Sequence, residues 1–208
     1  MLVPYVIRQG DFLDKLAYRH SFDRDEIWND PKNAALQKTR SNPNLLAPGD
    51  VLYIPAKVER NWLSVNVGAT NKFTATLPML TINLTMTCDG EPLANKDCRL
   101  EGYGEAKPLT TGGDGSVTFK IPVTVDVVYL VFDDPPVSQE IRPGHMDPHE
   151  APSGVAMRLA NLGYLDDAAL SPDIQADALL AFQADNGIEP TGVADDATVA
   201  KLVEVHGH

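Results

Sequence analysis

The 208-residue chain lacks a surplus of basic charge, an apolar run of membrane-spanning length, a CxxC pair and every short motif of the common active sites. Lys and Arg number 17 against 29 Asp and Glu, a net charge of −12. Surfaces that hold nucleic acid or anionic lipid need Lys and Arg facing phosphate, so neither partner is expected, and membrane insertion is not expected either. The start, MLVPYVIRQGD, lacks the basic residues and apolar core of a secretory signal. Cytoplasmic synthesis is therefore expected, and any delivery to the periplasm or envelope would need a route without a signal peptide. The only two cysteines, Cys88 and Cys98, stand ten residues apart across a turn and are read as reduced thiols, with a cross-strand disulfide as the alternative in an oxidising compartment; without a CxxC pair a zinc site is not expected. GxSxG, HExxH, P-loop and GxGxxG patterns are all absent, which removes the usual nucleophile, metalloprotease and phosphate-cradling sites and leaves no cofactor implied. An acidic pair for glycoside hydrolysis can always be found among 29 carboxylates, but its cleft needs a larger scaffold than any segment here offers. No catalytic residue is expected.

What is present is organised in pieces. Lys and Arg against Asp and Glu run 8 to 7 over residues 1–57, 7 to 13 over 58–150 and 2 to 9 over 151–208. Residues 1–57 read as strand, helix, helix, strand. Tyr5-Val6-Ile7 favours a strand and Gly10 turns the chain. Asp11 is placed to cap a helix with Phe12, Leu13, Leu16 and Ala17 on its apolar face. Asp23 with Glu26 forms a capping box, flanked by Phe22 and Ile27 at the staple positions. Leu46-Ala47-Pro48-Gly49-Asp50 turns into a closing strand, Val51 to Ile54, ended by Pro55.

The pattern Tyr5-Val6-Ile7-x-x-Gly10-Asp11-x-Leu13-x-x-Leu16-Ala17, then Ile27, Asn42 and Leu46-x-Pro48-Gly49-Asp50-x-Leu52-x-Ile54-Pro55, resembles the LysM family. It departs from the family in having Phe12 where Thr is usual and a long stretch from Trp28 to Ser41. The resemblance implies a βααβ module whose shallow groove takes N-acetylglucosamine chains of peptidoglycan. By that analogy Gly10, Asp11, Phe12, Leu13, Asn44, Leu45 and Leu46 line the groove, with Phe12 partly exposed against a sugar face.

Residues 58–144 show period-two alternation at Leu80 to Met86, Val117 to Ile121 and Val127 to Phe132, separated by turns at Asp89-Gly90 and Gly112 to Gly115. The run Asp89-Gly90-x-Pro92-Leu93-Ala94-Asn95, with Thr110-Thr111 and Asp114-Gly115-x-Val117-x-Phe119, is similar to transthyretin-like and carboxypeptidase-regulatory-like β-sandwiches. Residues 145–152 read as a solvated linker. Residues 153–208 read as three helices, capped by Ser153, opened by Ser171-Pro172 and capped by Asp195. Leu159-x-x-Leu162-Gly163-Tyr164, Ala181-Phe182-Gln183-x-x-x-Gly187-Ile188 and Thr191-Gly192-Val193 resemble peptidoglycan-binding-like helical modules. The expected class is thus α+β and multidomain.

Among chemical candidates, His145, Asp147 and His149 are the one cluster with metal-ligand character, and an alternative reading makes the chain a wall hydrolase through them. Trp28 is expected to pack on the core, and Trp62 is left open between packing and sugar stacking. The module order, together with Ile27-Trp28-Asn29-Asp30-Pro31-x-Asn33-Ala34-x-Leu36, resembles accessory proteins of contractile injection machines such as type VI secretion systems. The expected function is a non-catalytic adaptor with two partners, peptidoglycan and a secretion-apparatus or effector protein. A pure protein-interaction adaptor that has lost glycan binding is the other alternative.

Overall fold

A computed structural model describes residues 1–56, 64–74, 76–88, 90–166 and 172–207, without the side chains of 172–174. Trp62, the Asp89 turn residue, Asp167 and Ser171 lie outside the described residues, as does the Ile174 side chain. The described residues form an α+β protein with six α-helices and several small antiparallel sheets. Their apolar side chains gather in three clusters, one in each of the three long segments.

In the first segment, strand β1 (Leu2–Val6) pairs antiparallel with β2 (Val51–Pro55), and Tyr5 lies opposite Leu52. Between them lie α1 (Leu13–His20), α2 (Arg24–Trp28), a 3₁₀ turn (Pro31–Asn33) and α3 (Ala34–Thr39). The Trp28 to Ser41 stretch, expected as a long link, therefore folds into a further helix. Asn33 sets its position. Fully buried, its amide donates to the carbonyls of Ile27 and Tyr53 and its oxygen accepts from the Tyr53 N–H, pinning the stretch to β2. Trp28 packs against the cluster of Ile7, Leu13, Leu16, Ile27 and Leu52.

Asp23 caps α2 as expected, accepting from the N–H groups of Asp25 and Glu26. Asp11 does not cap α1, whose N-cap is Phe12. The Asp11 carboxylate is buried and taken instead by the Tyr5 hydroxyl at 2.8 Å, the Arg8 N–H and the Arg19 guanidinium. The vacant cap is filled across the fold, where the Asn44 side-chain oxygen accepts from Asp14 N–H and the Pro43 carbonyl accepts from Leu13 N–H.

In the middle segment, β3 (Met79–Thr85) pairs with β8 (Ser116–Pro122) in a regular seven-residue register. The short strands β4 (Thr87–Cys88) and β5 (Glu91–Pro92) form a hairpin. A four-stranded sheet runs in the order β10 (Val137–Ile141), β9 (Val128–Phe132), β6 (Asp97–Glu101) and β7 (Lys107–Thr110). Val117, Phe119 and Ile121 of β8 meet Cys98, Leu100, Leu130 and Phe132 of the larger sheet in one cluster. Cys88 and Cys98 are free thiols, and burial raises the pKa of Cys98.

The last segment holds α4 (Pro152–Asn161), α5 (Pro172–Asp185) and α6 (Asp196–His206) around Leu159, Phe182 and Leu202, with the Tyr164 ring edge-on to Phe182. Asp195 caps α6 through the Thr198 N–H and hydroxyl. Ser153 is not the cap of α4. The helix starts at Pro152, whose fixed φ suits the first helical position, and the Ser153 hydroxyl donates to Asp147 at 2.6 Å.

Residues 143–150 are packed rather than solvated: Pro143, Asp147 and Pro148 are buried. Arg158, wholly buried, donates to the carbonyls of Asp147 and Gly154, and burial lowers its pKa. At Gly154 a Cβ would stand 2.0 Å from the Pro148 carbonyl oxygen and 2.7 Å from that of Asp147. Gly to Ala in a helix ordinarily stabilises by about 0.5–1 kcal/mol. Here the sign reverses: G154A is expected to destabilise by about 1–3 kcal/mol through overpacking, read as a lowered urea midpoint with an unchanged denaturant slope.

Candidate functional site

The seven residues expected to line a glycan groove do lie at one end of the first segment, but the chain itself covers that end. Gly144 accepts from Gly10 N–H at 3.2 Å through its carbonyl, and the Gln9 amide donates to the His145 carbonyl at 2.8 Å. The His145 ring stands where a Cβ on Gly10 would be 3.0 Å away, and a Cβ on Gly144 would be 2.7 Å from the Phe12 ring. Phe12 is 1% exposed, where partial exposure was expected. Gly10, Asp11, Leu13 and Leu46 are also buried, while Asn44 and Leu45 are half-buried. Nothing in a single sequence signals this closure, because the covering residues lie more than a hundred positions downstream.

Two ion pairs reinforce the closure. Lys15 reaches the Gly10 carbonyl and Asp126, the latter at 2.7 Å. Arg40 holds Asp50 through two hydrogen bonds of 2.8 and 3.0 Å and approaches Glu150 at 3.6 Å. The Asp50 hydrogen bonds raise the Arg40 pKa, and the Lys15 ammonium lowers that of Asp126.

The His145, Asp147 and His149 side chains are not brought together. His145 faces Gly10, Asp147 takes the Ser153 hydroxyl, and His149 lies 3.6 Å from Glu150. Among the described residues no group of three or more His, Cys, Asp or Glu is placed to hold a metal ion.

Among the described residues, a shallow concavity of about 450 Å³ lies beside Asp97, Arg99, Pro108 and Asp133 of the middle segment, and a broader one lies in the last segment. A groove of about 840 Å³ runs between α4 and α6, floored by Val155 and Ala156 on one side and Val199 and Val203 on the other, above the fully buried Leu159. Leu179 of α5 closes its base, and His149, Glu150, Gln175 and Asp196 form a polar rim. The helical spacing of Val155, Leu159 and Val199 carries no sign of the groove, because the spacing of an apolar helix face is the same for a filled and an open interface.

Around the groove the helices are fixed by satisfied polar groups. Gln183 is fully buried and its amide donates to the Thr191 and Thr198 hydroxyls and the Val193 carbonyl. Its oxygen accepts from Gly192 N–H. A buried amide with these partners is a strut for the 189–195 loop and has no donor left for a ligand. At the far end the Asn161 amide donates to His206 Nε2 at 3.0 Å, while His206 Nδ1 donates to the Gly207 carbonyl.

With this geometry in view, residues 155–202 match the family model described as "Putative peptidoglycan binding domain", under a quarter of the chain and coincident with the groove-bearing helices. No curated protein and no solved structure matches the chain. No helix among the described residues is long and apolar enough to cross a membrane. The matched domain supports a cell-wall binding role with a glycan-containing partner.

Burial holds the His206 pKa below its ordinary 6.5, and the Arg158 charge pushes it the same way. The folded state therefore binds this proton less readily than the unfolded chain, so the contribution is fully present above pH 6.5 and is lost as pH falls through the folded value. The expected outcome is a melting temperature that falls between pH 7 and 5 more steeply in the wild-type chain than in H206Q; parallel pH profiles would show that His206 carries none of the dependence.

Proposed function

We propose that this chain is a non-catalytic peptidoglycan-binding adaptor whose wall contact is the groove between α4 and α6. The observation that carries the reading is the coincidence of a broad, largely apolar groove with the segment that matches a peptidoglycan-binding family. Its floor of Val, Ala and Leu suits the methyl groups and apolar faces of lactyl, alanyl and acetamido units. The carboxylates of Glu150 and Asp196 at the rim suit the ammonium of a diamino acid in a stem peptide.

The first segment, which resembles LysM, serves in this reading as a docking body rather than a second glycan site, since its groove end is filled by Gly144 and His145. The middle segment, similar to transthyretin-like sandwiches, acts as a spacer. The order of segments, and the stretch from Ile27 to Leu36, support an accessory or cargo-docking role in a contractile secretion system such as type VI. Delivery to the periplasm or envelope would then follow that machine rather than a signal peptide.

The test is co-sedimentation with purified sacculi. Ala200 lines the groove and is exposed, so A200W fills it without disturbing the core. Wild-type protein is expected in the pellet, A200W in the supernatant with a melting temperature within about 2 °C of wild type, and no soluble muropeptides released by either. Release of muropeptides that H145A abolishes would establish the hydrolase alternative. Wild-type protein left wholly in the supernatant would favour the pure protein-interaction adaptor, for which the charge of the last segment, 2 basic against 9 acidic residues, predicts a basic partner.

A further inference from the structure

Strands at the edge of a sheet offer unpaired N–H and C=O groups, and proteins commonly protect them with Lys, other charges or Pro. Among the described strands of four or more residues, six have an open edge. Five are protected: β1 by Pro4, β2 by Pro55, β7 by Lys107 and Pro108, β8 by Lys120 and Pro122, and β10 by Glu140. The sixth is β3, whose sequence MLTINLT has neither charge nor proline.

Three further observations fall on the same strand. It pairs with β8 through seven consecutive residues without a bulge, so its free edge is straight and regular. Its inward side chains Leu80, Ile82 and Leu84 are only half-buried although they join the central cluster, whereas the β8 side chains opposite, Val117, Phe119 and Ile121, are fully buried. Among the described residues the core is thus incompletely covered along this edge. Finally, no charged residue occurs from Phe73 to Cys88, in a chain that carries 22% charged residues, and Phe73, Leu77 and Met79 within that run are exposed.

We propose that the open edge of β3 is the surface through which two copies of this chain pair, antiparallel and about a two-fold axis, joining their sheets. A second copy is the occupant that the strand's own sequence fits, because MLTINLT pairs with itself without setting like charges opposite each other. Two chains of −12 repel over most of their surfaces, and the neutral Phe73 to Cys88 run is where they approach without opposing carboxylates. Antiparallel pairing of one strand with itself is also isologous and closes at two copies. A two-fold through Ile82 sets Thr81 of one copy opposite Asn83 of the other, both of them exposed. The backbone hydrogen bonds of β3 are completed and Leu80, Ile82 and Leu84 gain cover.

Sedimentation velocity on the full chain, from about 5 to 200 μM at low and at physiological salt, tests the proposal. The expected result is a reversible shift from 22.6 kDa to twice that mass, strengthened by salt, which screens the −12 to −12 repulsion. T81E/N83E sets carboxylates against carboxylates across the two-fold and is expected to raise the dissociation constant at least tenfold. Thr81 faces Lys120 on β8, and replacing Asn83 gives up one exposed hydrogen bond from the Thr118 hydroxyl, so melting temperatures of the variants within a few degrees of wild type are expected and check the fold. T81E/N83K sets opposite charges across the same axis and is expected to restore dimers. Amide exchange at residues 79–85 should slow with concentration in the wild-type chain, a readout needing no variant. A monomer throughout this range, a dimer that T81E/N83E leaves intact, or a charge swap that fails to restore it would each overturn the proposal. So would protection at 79–85 that is independent of concentration.

Discussion

The close approach of two glycines to the backbone around residues 143–150 is the constraint on which the arrangement depends. Gly144 lies against the Phe12 ring and Gly10, and Gly154 against Pro148, at distances that no side chain allows. The same eight residues therefore touch the first segment with one end and the last with the other. Arg158, buried under them with its guanidinium on the Asp147 carbonyl, fixes that second contact. Only Nη1 of that guanidinium is satisfied, by the Asp147 and Gly154 carbonyls, so the burial is costly and ties Arg158 to this path of the segment.

That path decides what each end of the molecule can do. By laying Gly144 and His145 over Gly10 to Phe12, it removes the surface on which the LysM resemblance would place a sugar. By placing His149 and Glu150 beside Val155, it supplies one wall of the groove in the last segment. Glu150 further couples the two, since it faces Arg40, whose stronger bond is to Asp50 at the start of β2. Closure of one concave surface and formation of the other are consequences of a single segment. The acidic rim of the groove is then no obstacle to wall binding, because an amine is as much part of a stem peptide as its carboxylates.

Much of the secondary structure was legible in the residues. Capping by Asp23 and Asp195, the turn at Gly49-Asp50 and the alternation in β8 and β9 are local signals, and local physics determines them. The misreadings share one cause. Asp11, Ser153 and Phe12 carry the right chemistry for a cap, a cap and a sugar platform, yet other partners claim them: Tyr5 and Arg19, six and eight residues from Asp11, Asp147, six from Ser153, and Gly144, far along the chain from Phe12. The Trp28 to Ser41 stretch became helical because Asn33 found two backbone partners on either side of it, one of them twenty residues away. Long-range hydrogen bonds and close backbone approaches leave no periodic trace in a sequence, which is why the groove of the last segment and the covered end of the first were both invisible in it.

The central claim is that wall fragments bind between α4 and α6 and nowhere on the first segment. The most direct measurement is a nuclear magnetic resonance titration of the isotope-labelled full chain with a soluble disaccharide-tetrapeptide. The account predicts saturable shifts concentrated at Val155, Leu159, Val199 and Val203, with Gly10 to Leu13 and Asn44 to Leu46 unmoved. Shifts centred on Gly10 to Leu13, with the helical groove silent, would contradict it.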